Sequence, residues 1–449
     1  MPDQLTTVAA RWTVLPLPSG GAEAVENVTV LVRGHRIEDV VRGPVNVDAD
    51  RRIELPRGIV LPGFVNLHNH ALNGPVFRGI VDDAAVAADT IVYDLLLPLG
   101  DLAGEVLTDD ELRAVYRLAV LELLRTGTTS VLDMPRAQHH GLLEAAAELG
   151  LRAFAAPYVF STRDEDASLA AALAVADRFD EGPDGRIRVG LGPHATDTCS
   201  PRLLRRIAEL AGERDTFVSI HVAQSRHEVE TVRVRHGRTP VEYLRDTGLL
   251  GPRTVVAHGV YVEDGDLDLL RESGTTLAHC PLTFARSGVT VAFGRFHRAG
   301  VRTGIGTDAY SFDHFGELRA AGLVAKLTSG DGAAADAPTL LAAATSAGGA
   351  ALGGRFGRIE PGLFADLIGV DLSAPHLQPV RDPLRNLVWN ATPADVAFVM
   401  VDGRRVVDGG RVTGCDERRV VDEAAAAVER LWRAAEAAGV LPPIERTPA

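Results

Sequence analysis

Two textures of apolar and polar positions divide the chain. Residues 27–56 alternate in short runs, NVTVLVRGHRIEDVV and then RRIEL, broken by Gly and Asp. Residues 358–412 do the same in RIEPGLFADLIGVDL and DVAFVMVDGRRVVDGGRV, where DG pairs suit tight hairpin turns. Both stretches read as meanders of short strands. Between them, strand-like runs alternate with helical ones, which predicts a parallel sheet with covering helices. Eight strand candidates stand out there: IVLPGFVNLHNH, GTTSVLDM, LRAFAAPYVF, RIRVGLGPHA, FVSIHVAQ, TVVAHGV, TTLAHCP and VRTGIGTD. Eight such units in about 300 residues is the size of a (β/α)8 barrel. The expected fold is therefore α/β, a (β/α)8 TIM barrel over 58–357. A small β-sandwich would be built from both chain ends, 1–57 and 358–415, with a helix and tail over 416–449.

One helix shows the local logic. Thr108 stands three residues before Glu111, the pattern of a capping box, and Leu112, Val115, Tyr116, Ala119, Val120, Leu123 and Leu124 follow as an apolar stripe. Gly127 is placed to end it. The segment 71–107 is long for a connection and rich in Leu, Pro and Gly, which predicts a lid over the site. Residues 417–439 read as a surface helix without chemistry of its own.

Composition narrows the function classes. The chain has 449 residues, 46% hydrophobic and 24% charged, ordinary for a globular enzyme. A formal charge of -14 argues against a nucleic-acid partner. Nowhere do enough apolar residues run together to span a membrane, and the N-terminus has no leader-like apolar run, so a cytoplasmic setting is expected. Cys199, Cys280 and Cys415 are too far apart for a Cys-rich metal site.

The candidate chemistry lies at the strand ends. His68-Asn69-His70 closes the first strand, and a period of two puts both imidazoles on one face. His221, His258, His279 and Asp308 end the fifth to eighth strands. In a barrel those ends share one mouth. His68, His70, His221, His258 and Asp308 make a plausible ligand set for one divalent metal, since neutral imidazoles and a carboxylate suit Zn²⁺.

These motifs resemble the amidohydrolase superfamily, in the branch of cytosine, guanine and S-adenosylhomocysteine deaminases and triazine hydrolases. The matching text is PGFVNLHNH, LELLRTGTTSVLDM, GPHATDTCSPRLL, HVAQSRHEVE, VVAHGVYV, LAHCP, GIGTDAYSFD and GRIEPGLFADLIGVDL, spread over nearly the whole chain. The resemblance implies that His68, His70, His221 and Asp308 bind a single Zn²⁺ or Fe²⁺, with His258 beside it or as a further ligand. His279 would orient and stabilise the attacking hydroxide, and Asp308 would move its proton. Two-metal relatives use a strand-four carboxylated lysine; here Lys326 is the sole lysine and lies beyond the eighth strand, which favours one metal. A small-molecule substrate, and a homodimer or larger homo-oligomer, are also implied.

The chain departs from that pattern at strand five. The branch reads HxxE there, and its Glu protonates the ring during attack; this chain reads His221-Val222-Ala223-Gln224. Gln donates a hydrogen bond but shuttles no proton. Asp308, His279, His227 or Glu228 could supply the proton, the substrate could need none, or activity could be weak. His194 and Arg78 match family positions for substrate contact, although Ala195-Thr196-Asp197 replaces the family's usual continuation. The expected reaction is deamination or dechlorination of an aminated N-heterocycle. Cyclic amide or carbamoyl hydrolysis is the alternative within enzymes, and a non-catalytic metal-binding paralogue the alternative outside them.

Overall fold

The computed structural model describes residues 4–17, 21–43, 45–81, 89–162 and 164–442. The chain opens with β1 (Leu5–Pro16), β2 (Ala22–Arg33), β3 (Arg36–Arg42) and β4 (Arg51–Pro62). A central run follows: β5 (Phe64–Asn69), β6 (Thr128–Asp133), β7 (Arg152–Ala155), β8 (Tyr158–Val159), β9 (Ile187–Val189) and β10 (Gly192–Pro193). It continues with β11 (Val218–Val222), β12 (Thr254–His258), β13 (Thr276–His279) and β14 (Thr303–Ile305). The last strands are β15 (Leu367–Asp371), β16 (Val396–Val401), β17 (Arg404–Asp408) and β18 (Arg411–Val412).

The two chain ends meet in one eight-stranded sheet, ordered β18-β17-β16-β15-β4-β1-β2-β3. All its pairs are antiparallel except β1 with β4. The turn between β16 and β17 is the expected DG pair, with positive φ at both Asp402 (53°) and Gly403 (72°), as a tight hairpin turn requires. A Cβ on Gly403 would lie 2.0 Å from the Gly34 carbonyl, so this turn abuts the β2–β3 turn. The single ladder therefore curls until these two turns meet. It encloses Val8, Val30, Val32, Val60, Leu367, Phe398 and Met400 in a cluster of their own. The expected sandwich is thus one continuous, curled sheet.

The run IVLPGFVNLHNH, expected as one strand, is two. Residues 59–62 are the end of β4 and pair with β1 and β15, and only Phe64–Asn69 joins the central strands. The expected boundary after residue 57 falls inside β4.

The central strands form two four-stranded parallel sheets, β5-β6-β7-β9 and β11-β12-β13-β14, with β8 and β10 as a short parallel pair. Parallel bridges link the two sheets at both edges, Leu191 with Val218 and Asn69 with Asp308. Strands β5, β6, β11 and β12 are buried along their whole length, as strands covered on both faces must be. The helix Asp109–Arg125 bears out the local reading: Thr108 and Glu111 make the reciprocal capping box, the apolar stripe is buried, and Gly127 follows at φ 90°. No helix among the described residues is long and apolar enough to cross a membrane.

The tail helix, Glu417–Ala437, is more than a surface element. It buries Val420, Ala424, Val428, Leu431 and Ala435. Trp432 Nε1 donates to the Val76 carbonyl at 2.8 Å, and Arg430 pairs with Glu111 across to the helix Asp109–Arg125.

Candidate metal centre and pocket

β5 delivers His68 and His70 on one face, while Asn69 between them points into a different network. Its side chain donates to Asp133 Oδ1 at 2.9 Å and accepts from Thr307 Oγ1 at 3.1 Å. Asn66 donates to Thr307 Oγ1 at 2.8 Å. These bonds lock the ends of β5, β6 and β14 together beneath the histidines. A Cβ on Gly306 would lie 2.8 Å from the His68 Cβ, so the close approach of this segment to β5 needs glycine there.

Five side chains from distant parts of the sequence converge above this floor. His70 Nε2 is 3.3 Å from His221 Nε2 and 3.6 Å from Asp308 Oδ1, and His68 Nε2 is 3.9 Å from the same oxygen. His68, His70 and His221 form one set, and His68, His258 and Asp308 another, whose donor atoms lie within 4.8 Å of one another. Both nitrogens of fully buried His68, and Nδ1 of His258, have no hydrogen-bond partner. Buried polar atoms are rarely left so, and a cation is the partner that suits a cluster of neutral nitrogens.

The outer bonds aim these rings. His221 Nδ1 lies 2.6 Å from the His194 carbonyl and His70 Nδ1 lies 3.3 Å from the Met134 carbonyl. A carbonyl accepts only from N–H, so both rings present an unprotonated Nε2 to the centre. Burial holds His70 down to about 3 and His221 down to about 4, and it puts His68 and His258 well below the usual range. All four are neutral at physiological pH, the form that ligates. Burial pushes Asp308 the other way, up to about 7. His258 and Asp308 carry positive φ, 80° and 56°, a strained backbone of the kind that collects at functional sites.

A pocket opens onto this cluster, lined among others by His70, His221, His258, Asp308, His194 and Gln224. His194 is fully buried, bonded through Nδ1 to Thr198 Oγ1 at 2.8 Å and stacked on Phe160 at 4.7 Å. Gln224 is 8% exposed, and its Nε2 has no acceptor. The lid segment contributes Ile91, Val92, Leu96 and Leu97 to the wall; positions 82–88 of it lie outside the described residues.

Other expected site residues stand apart. His279 is buried next to His258, packed against Phe293 and Phe296, with neither ring nitrogen bonded, but it does not line the pocket. Arg78 is a correction. It follows the short helix Asn73–Phe77 and turns outward, half exposed, to pair with Glu122 at 2.6 Å. Nor do His227 and Glu228 line the pocket. Glu228 is fully buried beneath it and accepts from the backbone N–H of Gln224 at 2.8 Å and of Ala223 at 3.0 Å, so it holds the turn that carries Gln224. His314, at the start of the helix His314–Ser329, is buried and stacked on Phe64 at 5.1 Å.

Sequence reasoning missed Arg136, Tyr158 and Tyr310, which also line the pocket. Arg136 lies three residues beyond the end of β6, and its place just past a parallel strand was the available signal.

The comparisons with known proteins agree with this geometry. A model of the amidohydrolase family matches residues 59–406. A 5'-deoxyadenosine deaminase of Methanothermobacter thermautotrophicus is 36% identical over 424 residues, covering 92% of this chain and 96% of the relative. A 5-methylthioadenosine/S-adenosylhomocysteine deaminase of Haloarcula marismortui is 36% identical over 423 residues, covering 90% and 95%. Among solved structures, a zinc-bound adenosine deaminase from Xanthomonas campestris superposes with a TM-score of 0.89 at 27% identity, covering 96% of this chain and 100% of that one. A zinc complex of atrazine chlorohydrolase from Arthrobacter aurescens TC1 shares the fold with a TM-score of 0.87 at 23% identity, covering 94% and 100%.

Proposed function

This chain belongs to the amidohydrolase family, and on that premise we propose that it hydrolytically displaces the amino group of an aminated N-heterocycle. The observation that carries this reading is the buried cluster of His68, His70, His221, His258 and Asp308, in which both nitrogens of His68 and Nδ1 of His258 have no hydrogen-bond partner. The two parallel sheets and their edge bridges are read as one closed (β/α)8 barrel whose C-terminal strand ends hold the cluster. One ion is proposed, since the sole lysine, Lys326, bonds carbonyls of Gly332 and Ala334 far along the chain from strand four. Zinc is the favoured metal because imidazole and carboxylate suit it and a related structure carries it.

A divalent metal held by these five groups supplies Lewis acidity and brings the pKa of water towards neutrality. Asp308, at the pocket wall beside His68 and His70, is placed to accept the water's proton and return it to the departing amine. His258 flanks the reacting centre. His279 lies beside His258 with neither ring nitrogen bonded, which leaves it free to orient and stabilise the attacking hydroxide. Gln224 faces the ring with an N–H that stays a donor in every protonation state. It can hold a ring nitrogen or oxygen but cannot move a proton, which leaves Asp308 as the proton carrier in the pocket. The lid side chains Ile91, Val92, Leu96 and Leu97 exclude water from the ring.

The activities of the deaminase relatives make adenosine derivatives the first compounds to try. Zinc-loaded enzyme should release ammonia from members of a panel of aminated purines, pyrimidines and triazines, and chelation followed by zinc restoration should abolish and restore the release. Absence of ammonia from every ring, with cyclic amides hydrolysed instead, would replace this reading by cyclic amide hydrolysis.

A further inference from the structure

The described part of the lid is fastened to a buried acidic seam behind the pocket wall. Tyr93 donates its hydroxyl proton to Asp197 Oδ2 at 2.6 Å, and its ring meets that of His227 at 4.9 Å. Asp89 Oδ1 accepts from the Arg226 N–H at 3.0 Å, at the start of the helix Arg226–His236. Asp197 is 8% exposed, and its other oxygen, Oδ1, is buried without a partner. The residue before it, Thr196, donates through Oγ1 to Glu228 Oε1. The same carboxyl accepts from the backbone N–H groups of Ala223 and Gln224, at 3.0 Å and 2.8 Å. Two neighbouring carboxyls thus divide the work: Asp197 holds the lid, and Glu228 holds the turn that carries Gln224.

Two carboxyls in one buried site do not both ionise easily. Burial, and then the charge of Asp197, push Glu228 up to about 8. Burial raises Asp197 too, but the Tyr93 bond, His227 and Arg235 favour its anion. Arg235 Nη1 also donates to the Asp197 carbonyl, at 2.8 Å. The Cys199 thiol feels Asp197 as well, and burial holds it protonated. At neutral pH Asp197 therefore carries the charge and Glu228 the proton. Opening the lid takes Tyr93 off Asp197, lets water screen its charge, and allows Glu228 to ionise at lower pH. The closed lid binds the proton more tightly than the open one. Its advantage is full at low pH and is lost as pH rises through about 8.

We propose that Asp197 and Glu228 form a proton-linked latch: closing the lid takes up a proton onto the pair, and losing that proton frees the lid and loosens the turn that carries Gln224. The latch is independent of which ring the pocket takes, so its test needs no substrate.

Amide hydrogen exchange of zinc-loaded protein, corrected for its intrinsic pH dependence, reads the lid directly. In wild type, protection over residues 90–97 should fall about tenfold between pH 7 and pH 9, the loss that one proton linked near pH 8 produces. Asp197→Asn keeps an oxygen for the Tyr93 hydroxyl but removes the paired charge, so its protection should change less than about twofold over the same range. Should that variant not fold, Glu228→Gln, which cannot ionise, should flatten the profile to the same degree. The helix Asp109–Arg125 is the internal reference and should stay protected at both pH values. Constant protection of 90–97 in wild type, an equal loss in Asp197→Asn, or a loss shared by the reference helix overturns the latch and leaves the deaminase reading standing. Failure of every ring to release ammonia would remove that reading, while a tenfold loss confined to the lid would still uphold the latch.

Discussion

Asp133 ends β6 with Oδ1 accepting from the Ala71 N–H at 2.6 Å and from Asn69 Nδ2 at 2.9 Å, while Oδ2 is buried without a partner. Burial pushes this carboxyl up to about 7, against the pull of the two bonds. The folded protein therefore holds the proton more tightly than the unfolded chain, and stability drains away as pH rises from the ordinary 3.8 through about 7. A shift of this size corresponds to roughly a few kcal/mol. Asp133→Asn keeps the accepting oxygen and never ionises, so melting of the zinc-loaded variant from pH 5 to pH 8 should decline less than that of wild type; parallel curves would count against the assignment. Neither Asp133 nor Arg136 was legible as part of the site, because each matters through partners that the fold brings from elsewhere. His68 and His70 were legible because a period of two needs only the local backbone. Gln224 was legible as a departure, and it yields a second expectation. If ring protonation limits the rate, Gln224→Glu should raise ammonia release about tenfold or more, within the range general acids contribute; complete loss would show that the amide itself grips the substrate.

Among the elements, the segment 71–107 was expected to cover the site, and its Ile91, Val92, Leu96 and Leu97 do line the pocket, but its fastening was not legible. Tyr93 sits in the described part of that segment and donates to Asp197 Oδ2 at 2.6 Å, with its ring 4.9 Å from that of His227. The Arg226 N–H donates to Asp89 Oδ1 at 3.0 Å from the helix that follows β11. Asp197 occupies the stretch where the chain departs from its family's pattern, so the departure coincides with a bond between lid and strand-four loop. Hydrogen bonds to charged groups contribute about 1.5–3 kcal/mol. Tyr93→Phe should accordingly raise KM roughly tenfold with a smaller change in kcat, measured by steady-state kinetics; an unchanged KM would mean the lid is held elsewhere. Strand limits were less legible. Periodicity sees an apolar run such as IVLPGFV but not that Pro62-Gly63 passes it from the curled sheet to the parallel strands. The capping box at Thr108, a purely local device, was read correctly.

At the scale of the whole molecule, both ends of the chain pack against the central strands, the sheet at their starting ends, where Gly127 meets Ile368 and Gly150 meets Val406. The curled sheet draws on residues before 63 and after 366, and the tail helix bonds through Trp432 to Val76 at the root of the lid. Sequence patterns indicated the two flanking meanders but not their single ladder, because the pairing of distant strands leaves no local trace. The site itself is a whole-molecule property, since its candidate ligands span positions 68 to 308 and are brought together by the two parallel sheets and the bridges between them. Metal content measured on purified, zinc-equilibrated protein addresses that convergence most directly. The account predicts one zinc per chain in wild type, and a folded His221→Ala variant that loses both the zinc and ammonia release. Full activity in metal-free protein, or undiminished zinc in His221→Ala, would contradict it.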